Sequence, residues 1–312
     1  MSGRNSSRFH SVVVLSGGVG GAKFCEGLAG SLLADELTIV VNTGDDFEHW
    51  GLWICPDLDT VMYTLSGRSN LSQGWGVQNE TFATMRIMKE FGAESWFQLG
   101  DKDLATHIFR SLQMKRGDSL TSITRSMNKA LGVHCSVLPM CNAPRQTKVR
   151  TESGQLLDFQ QWFVGSRAKP QIAEVIFEGE SSPSSEVLKS LANADLILIS
   201  PSNPYVSIDP ILSLSGIRDL LETKLVVAIS PIVSGRAIKG PLGEMIPDLT
   251  GHPPSAHIVR RHYGALLDAF VVQKGDEYGT EGIPLLATNT IMGDTVDRVR
   301  FAREVLSFAS EL

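Results

Sequence analysis

Basic residues are in short supply. The chain has 28 Lys and Arg against 34 Asp and Glu, a formal charge of -6, so there is no excess of cations to meet a polyphosphate backbone or an anionic bilayer. Nucleic-acid and membrane partners are therefore not expected. Cysteine is sparse as well. Cys25, Cys55, Cys135 and Cys141 show no CxxC spacing, which argues against a zinc site and a disulfide framework and points to a reducing, cytoplasmic setting. No window approaches the roughly 20 apolar residues of a membrane-spanning helix. The polar stretch from Met1 to His10 lacks the apolar centre of a signal peptide. Two common phosphate motifs are missing too. No GK[ST] follows the glycines near residue 20, so there is no Walker A loop, and Lys23 stands where the dinucleotide fingerprint needs its third glycine. A nicotinamide dehydrogenase is disfavoured on that ground.

What is present is a large apolar complement, 42% of 312 residues, enough to bury a sizeable core. Short apolar runs recur, each followed by a turn-rich loop and a probable helix: Val12 to Leu15, Leu37 to Val41, Trp96 to Leu99, Asp195 to Ile199 and Leu225 to Ile229. That rhythm predicts an α/β fold, a Rossmann-like parallel sheet with helices on both faces. Residues 117–180 break it with one helix (Ser119 to Leu131), short β-like pieces around Val133 to Leu138, Thr147 to Thr151 and Gln155 to Phe159, and a hairpin turn at Glu152-Ser153-Gly154. They predict a mixed α+β cap inserted into a core of residues 1–116 and 181–312. Phe159, Trp162 and Phe163 are either ring-stacking surface or the small core of that cap. Asp294 to Leu312 has helical spacing and reads as scaffold.

Ligands of open α/β sheets sit at the carboxyl ends of the strands, and two loops there carry chemistry. Gly17, Gly18, Gly20 and Gly21 after the first strand suit close approach of backbone amides to phosphate, with Lys23 in the following helical turn as a neutralising cation. A tight turn that only packs the helix on the sheet is the alternative. After the second strand come Asp45, Asp46, Asp57 and Asp59, oxygen donors of the kind Mg²⁺ prefers. Four are more than that ion needs, so Asp57 or Asp59 could instead cap the helix running from Thr60 to Leu65. Asp101 and Asp103 are further ligands or caps, Asp103 rather a cap, and His107 reads as a structural helical histidine. Pro201-Ser202-Asn203-Pro204 places Ser202 and Asn203 as rigid donors or as an ordinary turn. Ser230 to Arg236 with Lys239-Gly240-Pro241 reads as a second anion-handling loop.

GGVGG, NTGDD, CPDLDTVMYTL, GWGVQNETF, LGDKDLATH, SPSNPYVSIDPIL and SPIVSGRAIKGP, in that order over nearly the whole chain, resemble the 2-phospho-L-lactate transferase (CofD) family of coenzyme F-420 biosynthesis. The resemblance implies an enzyme that moves a phosphorylated three-carbon acid from its GMP-activated diphosphate to the ribityl hydroxyl of Fo, the deazaflavin 7,8-didemethyl-8-hydroxy-5-deazariboflavin, releasing GMP with Mg²⁺ present. Phospholactate, phosphoenolpyruvate and 3-phosphoglycerate are equally compatible acids. It also implies that Asp59 contacts Fo, that Asp45 and Asp59 are catalytic and hold the metal, that guanosine lies along Gly17 to Gly21 and Ser202-Asn203, and that the protein is a homodimer. Asp57 belongs to the same substrate-binding set. Gln98 stands where some relatives carry a basic residue near Fo. A non-catalytic nucleotide-sugar-binding branch of the superfamily is the alternative; it carries a DDGGSSG-like motif where this chain has Asp45-Asp46-Phe47-Glu48-His49-Trp50.

Overall fold

A computed structural model describes residues 9–70 and 73–312. Seven strands form the central sheet: β1 (Val12–Ser16), β2 (Leu37–Val41), β3 (Ser136–Pro139), β4 (Leu196–Ile199), β5 (Leu225–Ile229), β6 (Ala269–Gln273) and β7 (Leu285–Thr288). Their spatial order is 7-6-5-4-1-2-3 and all pairings are parallel. Strands covered on both faces read as unbroken apolar runs rather than alternating ones, as Val12–Ser16 and Leu196–Ile199 do, every residue of which is buried. Val13 and Leu15 point into one core, with Val187, Leu191, Met245 and Val259; Val12 and Val14 point into another, with Phe24, Val61, Phe301 and Val305. Helices therefore cover both faces. The expected Rossmann-like class is observed.

Strand order reverses between β1 and β4, and the crevice at their carboxyl ends is where such sheets take ligands. Three loops meet there, following β1, β2 and β4.

Two expectations about the middle of the chain are corrected. Trp96 to Leu99 forms no strand; Trp96, Phe97 and Leu99 pack with Phe47 and Ile54 in a separate aromatic cluster. The strand beside β2 is Ser136–Pro139, which lies inside the segment 117–180 expected to form the cap. What stands apart there is a three-stranded antiparallel sheet, Leu156–Asp158 beside Gln146–Thr151 beside Ile172–Glu178. The longest departure from the α/β rhythm is instead residues 42–135, between β2 and β3. It carries a hairpin (Phe47–His49 and Leu52–Ile54) and helices Pro56–Leu65, Ala83–Glu90, Asp101–Lys115 and Leu120–Ala130. The chain ends in the expected helix, Thr295–Ala309, capped by Asp294. Its backbone approaches the Gly18–Ala29 helix so closely at Gly27 that a Cβ there would collide with the Arg298 carbonyl. No helix among the described residues is long and apolar enough to cross a membrane.

Candidate active site

The glycine loop is built by packing as much as by openness. A Cβ on Gly20 would come to 2.5 Å from the Pro201 carbonyl oxygen, one on Gly17 to 2.5 Å from Asp57 Oδ2, and one on Gly21 would run into the hydroxyls of Ser16, Ser200 and Ser202. Glycine at these three positions lets the Gly18–Ala29 helix sit against the β1–β4 crevice. Gly18 differs: its φ is +64° and a Cβ there would meet nothing within 4 Å. Its N–H donates to Asp57 Oδ1 at 2.7 Å, while Ser202 Oγ donates to the Gly17 carbonyl at 2.6 Å. The next amides of the first turn, on Val19 and Gly20, have no partner within the helix. They add to the positive end of its dipole. Close packing thus accounts for Gly17, Gly20 and Gly21, and the left-handed backbone for Gly18. Lys23 is tied to the Met292 carbonyl at 3.1 Å. Burial, then repulsion from Arg298 and Lys239, lower its pKa.

All four acids after β2 are buried. Asp57 and Asp59 lie inside the Pro56–Leu65 helix, whose first turn they occupy, so neither is the cap considered above. Both Asp57 oxygens are used: Oδ1 by Gly18 and Oδ2 by the Asn42 side-chain amide at 2.9 Å. Asn42 in turn reaches the Val206 carbonyl and accepts the Gly44 N–H. Asp45 Oδ1 has no hydrogen-bond partner among the described residues. Burial and then the neighbouring Asp57 charge push its pKa well above the carboxylate range. Neither oxygen of Asp46 has a well-formed partner; burial raises it, and the Cys55 thiol and the Arg110 guanidinium offset only part of that.

Asp59 is paired bidentately with Arg110, Nη1 lying 3.1 Å from Oδ2 and Nη2 touching Oδ1. The carboxylate expected to ligate the metal is thus neutralised within the protein. Arg110 comes from the Asp101–Lys115 helix. Burial lowers its pKa, but Asp59 together with Cys55 and Asp46 outweighs burial and holds it above the ordinary guanidinium value. His107, one turn earlier, lies 3.6 Å from Asp59 and 3.3 Å from Asp103, and Asp103 also accepts from Tyr63 Oη at 2.7 Å. Asp59, Asp103 and His107 have donor atoms within 4.8 Å of one another, yet Arg110 already supplies the positive charge that such a set would take from a metal.

Several motif residues turn out to hold the scaffold. Glu80 accepts from the amides of Lys102 and Asp103, at 2.8 and 3.0 Å, and so caps the Asp101–Lys115 helix. Asp101 accepts from the amides of Ala83 and Thr84, at 3.0 and 2.9 Å, and caps Ala83–Glu90. Asp103 is therefore not the cap. The Thr81 hydroxyl, then the Thr84 and Ala83 amides, hold the Asp101 carboxyl well below its usual range. Asn203 accepts the Tyr205 N–H at 3.0 Å and donates to Met245 Sδ at 3.3 Å, starting the turn Pro204–Ile208. In the loop after β5, the Ser234 and Gly235 amides go to Asp276 rather than to an anion. Trp162 is fully buried with its indole N–H on the Pro170 carbonyl at 2.8 Å, so the cap aromatics form core. Gln98 is exposed beside Phe97.

Asn42, Arg110 and Glu80 were missed by sequence reasoning. The Asn of NTGDD was visible as a polar residue at a strand end, but Arg110 looked like any surface helical arginine.

A family model described as 2-phospho-L-lactate transferase CofD matches residues 12–288. The chain belongs to that CofD family. It is 39% identical to the 2-phospho-L-lactate transferase of Methanosarcina mazei over 287 residues, covering 91% of this chain and 94% of that protein. It is 38% identical to the phosphoenolpyruvate transferase of Thermobifida fusca over 317 residues, covering 96% and 98%. A crystal structure of a UPF0052-family protein from Bacillus halodurans superposes with a TM-score of 0.65 at 17% identity, covering 96% of this chain and all of that one. It agrees in fold. Burial pushes the Cys25 thiol up to about 12 and raises Cys55 well above the thiol range.

Proposed function

We propose that this CofD-family transferase moves a phosphorylated three-carbon acid from its GMP-activated diphosphate to the ribityl hydroxyl of Fo, releasing GMP, as a step of coenzyme F-420 assembly. One observation carries the reading: the Asp57 carboxylate joins the glycine loop directly to the acidic cluster through the Gly18 N–H at 2.7 Å. An amide cradle for a diphosphate and a set of anionic oxygens for its counter-ion then belong to one constellation. The donor's phosphates would lie against the first-turn amides of Val19 and Gly20, with the Gly18 N–H held by Asp57 and Ser202 bracing Gly17 from behind.

The residues fit Mg²⁺. Four buried carboxylates, Asp45, Asp46, Asp57 and Asp59, share the cluster with one buried guanidinium, Arg110, which is taken by Asp59, and Asp45 keeps an unpartnered oxygen beside Asp57. Asp45 would hold the ion, with Asp57 alongside it and Asp59 given over to Arg110. When bound, Mg²⁺ neutralises charge on the diphosphate. The protein's part is positioning and electrostatics: phosphoryl transfer needs the attacking hydroxyl in line with the leaving oxygen rather than a covalent partner. Holding both substrates at near-attack distance removes roughly 7–11 kcal/mol of barrier. Burial and raised pKa disfavour Cys25 and Cys55 as nucleophiles, and direct attack by the hydroxyl requires no covalent partner.

Incubating the protein and MgCl₂ with Fo and each of the three activated donors, with products identified by mass, tests the proposal. One donor should give the phospho-acid ester of Fo and GMP in equal amounts. Absence of GMP release with all three would reject it.

A further inference from the structure

Two residues, Trp50 and Gly51, join the strands Phe47–His49 and Leu52–Ile54, whose last pair is His49 opposite Leu52. Both have positive φ, +53° for Trp50 and +74° for Gly51, which makes the turn type I′. The first position of that turn suits Asn, Asp or Gly; a bulky aromatic residue there is a backbone outlier. A tryptophan kept against this preference points to a use for its ring. The ring is held in place. Its indole N–H donates to the Glu94 carbonyl at 3.0 Å, and it stacks on His49 at 4.9 Å between centroids. Glu94 holds a second indole too, its carboxylate accepting from Trp96 Nε1 at 3.1 Å. Trp96 meets His49 edge-on at 5.4 Å, and Phe97 packs beside it at 5.7 Å. Trp50, Trp96 and Phe97 are each only half-buried.

This group is fastened to the catalytic side of the molecule. The same hairpin bonds to the Asp101–Lys115 helix through Trp53, whose N–H donates to Ser111 Oγ at 2.8 Å and whose carbonyl faces Arg110 at 3.4 Å. Arg110 in turn grips Asp59. Rings and acid thus form two sides of one rigid unit.

We propose that Trp50, Trp96 and Phe97 form a stacking shelf for a planar heteroaromatic ring, that of the transferase's acceptor. The assignment rests on the transferase reading above and moves ring recognition away from Trp162 and Phe163, which are core or packed on core. Indole faces carry negative quadrupole density and attract electron-poor conjugated rings. The guanine of the donor shares that chemistry, so the test separates the two.

Trp50→Asn removes the ring while supplying the Asn-Gly pair that a type I′ turn prefers. The variant should melt at or above the wild-type temperature, bind GDP as wild type does, and bind Fo roughly ten- to a hundredfold more weakly, the range that loss of one stacking partner produces. Trp50→Phe should recover part of that loss. Undiminished Fo binding by Trp50→Asn would overturn the shelf, and so would weakened GDP binding with Fo binding intact. A large fall in melting temperature would also overturn it, by making Trp50 a packing residue. If wild-type protein itself binds no Fo, the transferase reading fails, a result distinct from wild-type binding that Trp50→Asn leaves unchanged.

Discussion

Arg110 and Asp59 show how much of this site depends on single side chains whose partners lie far off in the sequence. Breaking a buried ion pair by removing one member leaves an uncompensated charge, a cost of about 3–5 kcal/mol, whereas replacing both by apolar groups is often nearly neutral. Asp59→Asn should therefore destabilise the chain strongly, Arg110→Met comparably, and the double variant much less than the sum; denaturant titration of the four proteins measures the coupling. Additive losses would show that each residue acts with other partners. The sequence made the acids conspicuous because four of them crowd a strand end. It could not reveal which was neutralised. That depends on Arg110, 51 residues from Asp59, and on no local pattern. The same limit applied to Ser202, readable as a donor for ligand but in fact bonded to Gly17.

At the level of elements, the Asp101–Lys115 helix is turned opposite to its pattern. Ile108, Phe109 and Leu112 are 42%, 40% and 51% exposed, while His107, Arg110 and Ser111 are buried. Periodicity locates a helix and its apolar stripe, but here the polar face meets the acid cluster. The helix is secured at its start by Glu80, and its own Asp101 secures Ala83–Glu90, which has no buried residue. Removing either carboxylate should loosen both helices. Amide exchange near Ala83 and Lys102 should accelerate together in Glu80→Ala and in Asp101→Ala, and the double variant should add little to either single change. Because hydrogen bonding depresses the Asp101 pKa, its contribution is complete above the ordinary carboxylate value and lost only as pH falls below it toward the depressed one. Independent responses of the two helices would mean that the caps act separately.

Across the whole molecule, the sheet was legible because parallel strands buried on both faces are near-continuous apolar runs, as Val12 to Leu15 of β1, β4 and β5 are. The third strand was misplaced for a physical reason. Trp96 to Leu99 and Ser136–Pro139 are both short apolar runs, and only pairing with β2 distinguishes them. Stability of the whole chain should also carry the signature of its acids. Asp45, Asp46 and Asp57 have raised pKa values, chiefly from burial, so the folded state retains protons that the unfolded chain has already released. Stability contributed by these groups is therefore complete below the ordinary carboxylate value and is lost as pH rises from there through the raised values. Mg²⁺ binds the deprotonated form, so MgCl₂ should raise the melting temperature more at pH 8 than at pH 5. About 1 kcal/mol corresponds to roughly 2–4 °C in large domains. Asp45→Asn should weaken the Mg²⁺ response, raise metal-free stability at pH 8, and abolish most transferase activity; an unchanged Mg²⁺ response would remove Asp45 from the metal site.

The brace between Ser202 and Gly17 links positions 185 residues apart, and β4, which leads to Ser202, lies directly beside β1. During synthesis the glycine loop waits through 185 of the 312 residues before Ser202 exists to brace it. Such high-contact-order pairing forms late, because loop closure must precede any reward from it. On refolding, secondary structure should return first and nucleotide affinity last. The glycine loop, though made before its brace, is among the last parts of the chain to be held in place.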